Sequence, residues 1–140
     1  MTLTPAPLLG SLVHLHPDGA IRTERPEADT DLDRDGWLLM VARAESDDDV
    51  HGDHWECHTG GDELVACLTG GLRLVLRADR PGEADEEIVL AAGTAAVVPR
   101  GRWHRLALDA PSDMVAVTLP RGTRTEERTK PRVSGRPISP

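Results

Sequence analysis

The sequence predicts an all-β domain. Between residues 54 and 119, short apolar runs alternate at regular intervals with glycine, proline and aspartate, which is the pattern of strands and turns. No stretch of ten or more residues carries a convincing helical period. A chain of 140 residues is one domain by length, and it can bury roughly 68–70% of its unfolded surface. These observations favour a β-sandwich or a β-barrel with its own core.

The strands are predicted from the N-terminus onward. Residues 1–36 are weakly patterned and form an N-terminal arm, in which the alternating stretch 11–16, "SLVHLH", predicts an edge strand or a strand exchanged with a second copy. The barrel is predicted over residues 37–119, and its first strand is the buried run 37–44, "WLLMVARA". Its other predicted strands are 53–58, 63–68, 71–78, 86–91, 95–98, 103–108 and 114–119.

Two glycine pairs predict hairpins. The link "TGGD" between strands 53–58 and 63–68 suits a turn that brings Glu63 back beside His58. The pair Gly70–Gly71 joins two apolar runs and predicts a second hairpin. The C-terminal residues 120–140 carry six Lys or Arg against two Glu, so they are predicted to be a basic, flexible tail.

Composition excludes several classes of protein. The net charge of −8 argues against nucleic-acid binding. No apolar run reaches the roughly 18 residues of a membrane span. The N-terminus lacks a positive segment and the two cysteines suggest no disulfide framework, so a cytoplasmic protein is expected. The chain has neither Phe nor Tyr, so its core must rest on Leu, Val, Ala and three Trp, and a tyrosine acid is excluded.

Polar side chains that suit a metal lie on one face of the strand 53–58. Successive side chains of a strand point to opposite faces. His54, Glu56 and His58 therefore share one face, and Trp55 and Cys57 share the other. We expect the second face to be structural and the first to face the barrel interior.

Two further polar residues open later strands. Glu63 shares a face with Cys67, which we interpret as a small core residue rather than a ligand. His104 shares its parity with two leucines of strand 103–108, so it is predicted to point inward. Arg100 and Arg102 are expected in a solvated loop, and Trp103 is expected to pack on the outside.

Two spaced motifs resemble those of the cupin superfamily. In the first, His58, four residues, Glu63, six residues and Gly70 follow the family pattern without a gap. In the second motif, residues 93–104, "GTAAVVPRGRWH", match the family pattern as far as its histidine. At the last position of the motif, Leu108 replaces the family's asparagine. The 22 residues between the motifs are also typical of small cupins.

The resemblance implies a small single-domain cupin, with a double-stranded β-helix or jelly-roll barrel and a divalent metal in its mouth. Carried over residue by residue, His58, Glu63 and His104 match three ligand positions of the family. Glu56 stands at the fourth, where the family has a histidine. Small cupins often pair by exchanging an N-terminal strand, so a homodimer is expected.

The repulsion between two carboxylates in one cavity favours a bound cation. Glu56 and Glu63 facing one cavity repel each other unless a proton, a cation or water separates them. With His58 and His104 they would form a neutral site for a dication, and the ligand types suit Zn, Fe(II), Mn, Ni or Co equally. His54 lies about 13 Å along the strand from His58, which makes it a mouth residue rather than a joint ligand.

The sequence is compatible with two functions. One is a metal-dependent enzyme that acts on a small oxygenated metabolite by dioxygenation, isomerisation or cyclisation, with Glu56 as a general base if it is not a ligand. The other is a non-catalytic small-molecule-binding or regulatory cupin whose metal site is an empty remnant. Among cupin activities, epimerisation of sugar nucleotides is excluded because it needs a tyrosine, and thiol dioxygenation because it needs three histidines.

Overall fold

The short apolar runs of the sequence form most of the strands. The computed structural model describes residues 3–128. The strands are β1 (Leu12–Leu15), β2 (Ile21–Glu24), β3 (Trp37–Ala44), β4 (His54–Cys57), β5 (Glu63–Leu76), β6 (Glu86–Ala91), β7 (Thr94–Val98), β8 (His104–Thr118) and β9 (Arg124–Glu127). Within residues 3–128 the only helix is the 3-10 turn Asp47–Val50, so the all-β prediction is confirmed. Nothing helical in that range is long and apolar enough to cross a bilayer.

The predicted hairpin at Gly70–Gly71 is wrong, because both glycines lie inside the long strand β5. Gly70 has a φ of 85°, and the register against β8 shifts around it, which marks a β-bulge. A side chain at Gly70 would overlap the carbonyl oxygen of Pro111, and the amide of Gly71 donates to Ser112 Oγ at 3.0 Å. The glycines therefore bend the strand against its neighbour instead of reversing it. The predicted strands 103–108 and 114–119 are likewise one strand, β8.

The strands of residues 3–128 pair as one continuous sheet, which folds along β5 and β8 into two packed sheets. Strands β5 and β8 form a long antiparallel ribbon that runs through both. On one side of the bulge, β7 pairs with β5, and β3, β1 and β2 follow beside β8; we call this the first sheet. On the other side, β6 pairs with β5, and β4 and β9 follow beside β8; this is the second sheet.

An apolar core lies between the two sheets. One cluster of buried side chains contains members of both, which shows that the sheets pack face to face. The cluster consists of Val65, Cys67, Val98 and Met114 from the first sheet and Leu72, Leu74, Leu76 and Leu90 from the second. Two antiparallel sheets that share their long strands around one core are the predicted jelly-roll barrel.

The predicted hairpin through "TGGD" is also wrong. Strand β4 pairs with β8 and β9 in the second sheet, whereas Glu63 at the start of β5 pairs with Val98 in the first. The link therefore crosses from one sheet to the other. Gly61 lies in this crossing, close to the side chain of Leu119. A Cβ added at Gly61 would lie 2.8 Å from a methyl carbon of that leucine, so the crossing leaves little room for a side chain there.

Both ends of the described chain join the sheets. Strand β2 forms the edge of the first sheet, whereas β1, which was predicted as an edge or exchanged strand, lies between β2 and β3 of the same chain. Within the predicted tail, the exposed segment Arg124–Glu127 pairs with β4 as strand β9. Its sequence "RTEE" has no apolar alternation, so the sequence does not predict this strand, which is identified by its backbone pairing alone. The rest of the basic tail, residues 129–140, lies outside the described residues.

Candidate metal centre

The four side chains predicted as metal ligands meet in space. Glu56 lies in β4 and His58 directly follows that strand, while Glu63 opens β5 and His104 opens β8. Glu56 and His104 are register partners across β4 and β8. One ligand atom from each of Glu56, His58 and His104 lies within 4.8 Å of the other two. Among the described residues this is the only such group of three or more His, Cys, Asp or Glu.

Glu63 lies between the two imidazoles. His104 Nε2 donates to Glu63 Oε1 at 2.9 Å, and His58 Nε2 lies 3.1 Å from Glu63 Oε2. The hydroxyl of Thr118 donates to the same Oε2. All three ionisable side chains are buried, so their mutual attraction is weakly screened by water.

The electrostatics of the buried pair favour the charged forms. Burial raises the pKa of Glu63, but the hydrogen bond from His104 and the proximity of the His58 imidazole outweigh it and lower that pKa to about 2. Burial lowers the pKa of His104, but its bond to Glu63 outweighs burial, so the net shift is upward. His104 Nδ1 donates to the carbonyl oxygen of Arg102 at 2.9 Å, since a carbonyl can only accept. Without an ion, Glu63 and His104 therefore form a carboxylate–imidazolium pair.

His58 has one satisfied ring nitrogen and one orphaned one. Nδ1 forms a 2.9 Å hydrogen bond with the hydroxyl of Thr123. Nε2 is buried and makes no hydrogen bond to any described residue, although carboxylate oxygens of Glu63 and Glu56 lie 3.1 and 4.0 Å away. Buried polar atoms are normally paired. A histidine that is oriented through Nδ1, with Nε2 facing two carboxylates, fits a metal ligand.

The alternation predicted for β4 agrees with the structure. Glu56 faces the cavity beside His58 and is half-exposed, whereas Trp55 and Cys57 are buried on the opposite face. The guanidinium carbon of Arg77 lies 5.7 Å from the centre of the Trp55 ring. Trp55 therefore has the structural role that the sequence predicts.

His54 also occupies its predicted place. It lines the cavity but is not one of the three grouped residues, and its Nδ1 bonds to Asp53 Oδ1 at 2.9 Å. Cys67 is fully buried in the core, as predicted, and its thiol donates to the carbonyl oxygen of Thr69.

The arginines flanking the second motif differ from one another. Arg100 is exposed, as a solvated loop residue should be. Arg102 is half-buried and donates to the carbonyl oxygen of Arg77 at 3.4 Å, so the solvated-loop expectation does not hold for it. Trp103 packs outside, with the guanidinium carbon of Arg77 4.5 Å from its ring centre.

Two residues that hold the ligands are not among those predicted from the sequence. Thr118 bonds Glu63 and shares the inward parity of Met114 in β8, so alternation carried to the end of that strand would have found it. Thr123 bonds His58 across 65 positions of the chain. It lies in the predicted flexible tail, where no local signal exists.

Comparison with known proteins finds similarity only among solved structures. No protein-family model and no curated protein matches the chain. A cupin-2 domain containing protein from Shewanella frigidimarina is 19% identical over 59% of this chain and 70% of its own, with a TM-score of 0.46. Protein NMB1881 from Neisseria meningitidis is 21% identical over 61% and 76%, with a TM-score of 0.46.

A third similar structure is hydroquinone 1,2-dioxygenase from Sphingomonas sp. TTNP3, 21% identical over 59% of either chain, with a TM-score of 0.44. The chain thus spans less than two thirds of this enzyme. The solved structures similar to this chain are of the cupin fold, and at these identities and TM-scores they carry no inference about its ligand or activity.

Proposed function

We propose that this chain is a small cupin that holds one divalent metal ion and acts on a small oxygenated metabolite. The observation that carries the proposal is the convergence of Glu56, His58 and His104, together with the orphaned Nε2 of His58. Glu63 is the fourth proposed ligand, since its two oxygens already lie 2.9 and 3.1 Å from the imidazole nitrogens. A dication would replace the proton that these groups share.

The donor set suits an ion of this charge. Two carboxylates and two neutral imidazoles balance a dication, and their oxygen and nitrogen atoms suit Zn, Fe, Mn, Ni or Co. Such an ion supplies a Lewis acid that polarises a substrate oxygen. The chain itself orients the ligands: Thr123 and the Arg102 carbonyl fix the two rings, and Thr118 holds Glu63.

Glu56 is the ligand best able to change its role. Its side chain is 41% exposed, whereas those of His58 and Glu63 are 7% and 8% exposed. A carboxylate at the open side of the cavity is able to accept a proton from a bound substrate. This exposure supports the proposal that Glu56 is the general base if it leaves the ion, in a dioxygenation, isomerisation or cyclisation of an oxygenated metabolite.

One observation favours the alternative, a non-catalytic small-molecule-binding or regulatory cupin. Glu63 is already satisfied by His104 and Thr118. A site whose central carboxylate is neutralised by its own chain is stable without an ion, which is what a remnant site requires.

Metal content distinguishes the two functions. We expect protein dialysed against Zn²⁺, Mn²⁺ or Fe²⁺ to retain one ion per chain by mass spectrometry of its metals, and we expect Glu56→Ala and His104→Ala to lose it. A free ion at 100 times its Kd would stabilise the fold by about 2.7 kcal/mol. His54→Ala is the matched control and should keep the ion. If no ion is retained and none of Zn, Fe, Mn or Ni raises the Tm, the alternative stands.

We further propose a homodimer that forms through the outer face of the first sheet. Leu64 and Val97 are cross-strand partners there, and with Leu68 they are 36%, 59% and 47% exposed. Contiguous exposed apolar side chains favour an interface.

We therefore expect Val97→Lys to shift a dimer to a monomer in sedimentation velocity. Val89→Lys is the matched control, because Val89 is 61% exposed but lies in β6 of the second sheet. A wild-type protein that sediments as a monomer at all concentrations would disprove the dimer.

A further inference from the structure

Two adjoining cavities open beside the proposed metal ligands. Their volumes are about 400 and 330 Å³, in the range of small-molecule sites. Both are lined by Glu56 and Glu63, and both are also lined by Leu32 and Met40. A molecule that binds here would therefore contact the proposed metal centre and these two apolar side chains together.

Much of the lining away from the ligands is apolar. Strand parity explains this, because the inward positions of the strands around the core carry aliphatic and thioether side chains. The apolar lining includes Leu38, Met40, Val65, Leu106, Met114 and Ala116. The apolar part of a ligand would displace water from these walls, and the burial of its apolar surface would favour binding.

The described lining residues offer little counter-charge for an anion. Asp33 and Asp49 add two carboxylates to those of the ligands. Among the described lining residues the only Lys or Arg is Arg105, and its guanidinium carbon lies 5.4 Å from the centre of the Trp55 ring, on the outer face of β4. The imidazoles of His51 and His54 complete the charged or titratable groups of the lining. A second anionic group on a ligand would lose its hydration and meet carboxylates.

From this lining we propose the class of molecule that the cavity takes. It has one oxygen-bearing end for the ion and a small, uncharged, largely apolar body that lies against Leu32 and Met40. The proposal rests on the proposed function, because the oxygen-bearing end needs the metal. It goes further by excluding dicarboxylates, phosphate esters and other metabolites with a second negative charge.

Three hydroxamic acids with the same metal-binding end test the proposal on Co²⁺-loaded protein. Acetohydroxamic acid has a minimal body, benzohydroxamic acid adds an apolar ring, and 4-carboxybenzohydroxamic acid adds a charge to that ring. Binding is followed by isothermal titration calorimetry and by the visible absorption of the Co²⁺ ion. We expect benzohydroxamic acid to bind at least about tenfold more tightly than either of the others.

A pair of leucine variants locates the body of the probe. Leu32 and Leu8 are 43% and 54% exposed, but Leu32 lines both cavities and Leu8 lines neither. We expect Leu32→Ala to weaken benzohydroxamic acid about threefold or more and to leave acetohydroxamic acid unchanged. Leu8→Ala should change neither affinity.

The failures of the two proposals are distinguishable. If the chain takes up no Co²⁺, the proposed metal site is wrong, and the substrate class falls with it. If Co²⁺ binds and its absorption responds to acetohydroxamic acid, but the three probes bind equally well, only the substrate class is wrong. An equal loss of both probes in Leu32→Ala would likewise overturn the apolar contact while leaving the metal site in place.

Discussion

Glu63→Gln is expected to lower the free energy of unfolding of the metal-free protein by about 3 kcal/mol at pH 6. The carboxylate accepts from His104 and Thr118 in a buried site, and its charge offsets that of the imidazolium. Glutamine keeps the shape of the side chain but removes the charge, so His104 is left either charged without a partner or forced to lose its proton. Urea denaturation followed by tryptophan fluorescence, with EDTA present, measures the difference.

Glu87→Gln is the matched control for this loss. Glu87 forms a 3.0 Å ion pair with Arg73, but its side chain is 50% exposed. Exposed ion pairs contribute about 0–1 kcal/mol because water and salt screen them. If the two variants are destabilised equally, the buried pair does not contribute what its geometry predicts.

The stability of the metal-free protein should also depend on pH with a definite sign. The pKa of Glu63 is about 2 in the folded chain and 4.5 ordinarily, which corresponds to about 3 kcal/mol of stability above pH 4.5 that is lost as the pH falls toward 2. The pKa of His104 lies above its ordinary 6.5, so its contribution is complete below pH 6.5 and is lost as the pH rises through the folded value. We therefore expect maximal stability between about pH 4.5 and 6.5.

The difference between wild type and Glu63→Gln isolates this dependence from that of other titrating groups. Both pKa shifts describe one ion pair, so removing the carboxylate should flatten the pH profile on both sides. Denaturation curves between pH 3 and 9 in EDTA measure it. Parallel profiles, with a constant offset between the two proteins, would contradict the assignment of the shifts to Glu63 and His104.

Much of the candidate site follows from local rules. Alternation on β4 separates Glu56 and His58 from Trp55, and the same rule at β8 turns His104 inward. These assignments hold because the side-chain period of a strand does not depend on which strand pairs with it. The motif spacing adds Glu63, which alternation alone cannot select.

The supporting contacts do not follow from local rules. Thr123 reaches His58 only because β9 pairs with β4, although its own stretch of sequence looks like a flexible tail. Leu32 reaches the cavity from an acidic loop whose sequence has too little apolar content to predict packing. Both residues act across long separations in the chain.

The sequence by itself determined that this protein is all-β, which faces of its strands turn inward, and which ionisable side chains those faces carry, because each of these depends on neighbours one or two residues away. Only the tertiary structure decided that Gly70–Gly71 is a bulge, that "TGGD" crosses between sheets, and how Glu63 lies between two imidazoles. Strand pairing depends on which strand edges meet, and side-chain convergence depends on which sheet faces meet. Both are determined by contacts between residues far apart in the chain.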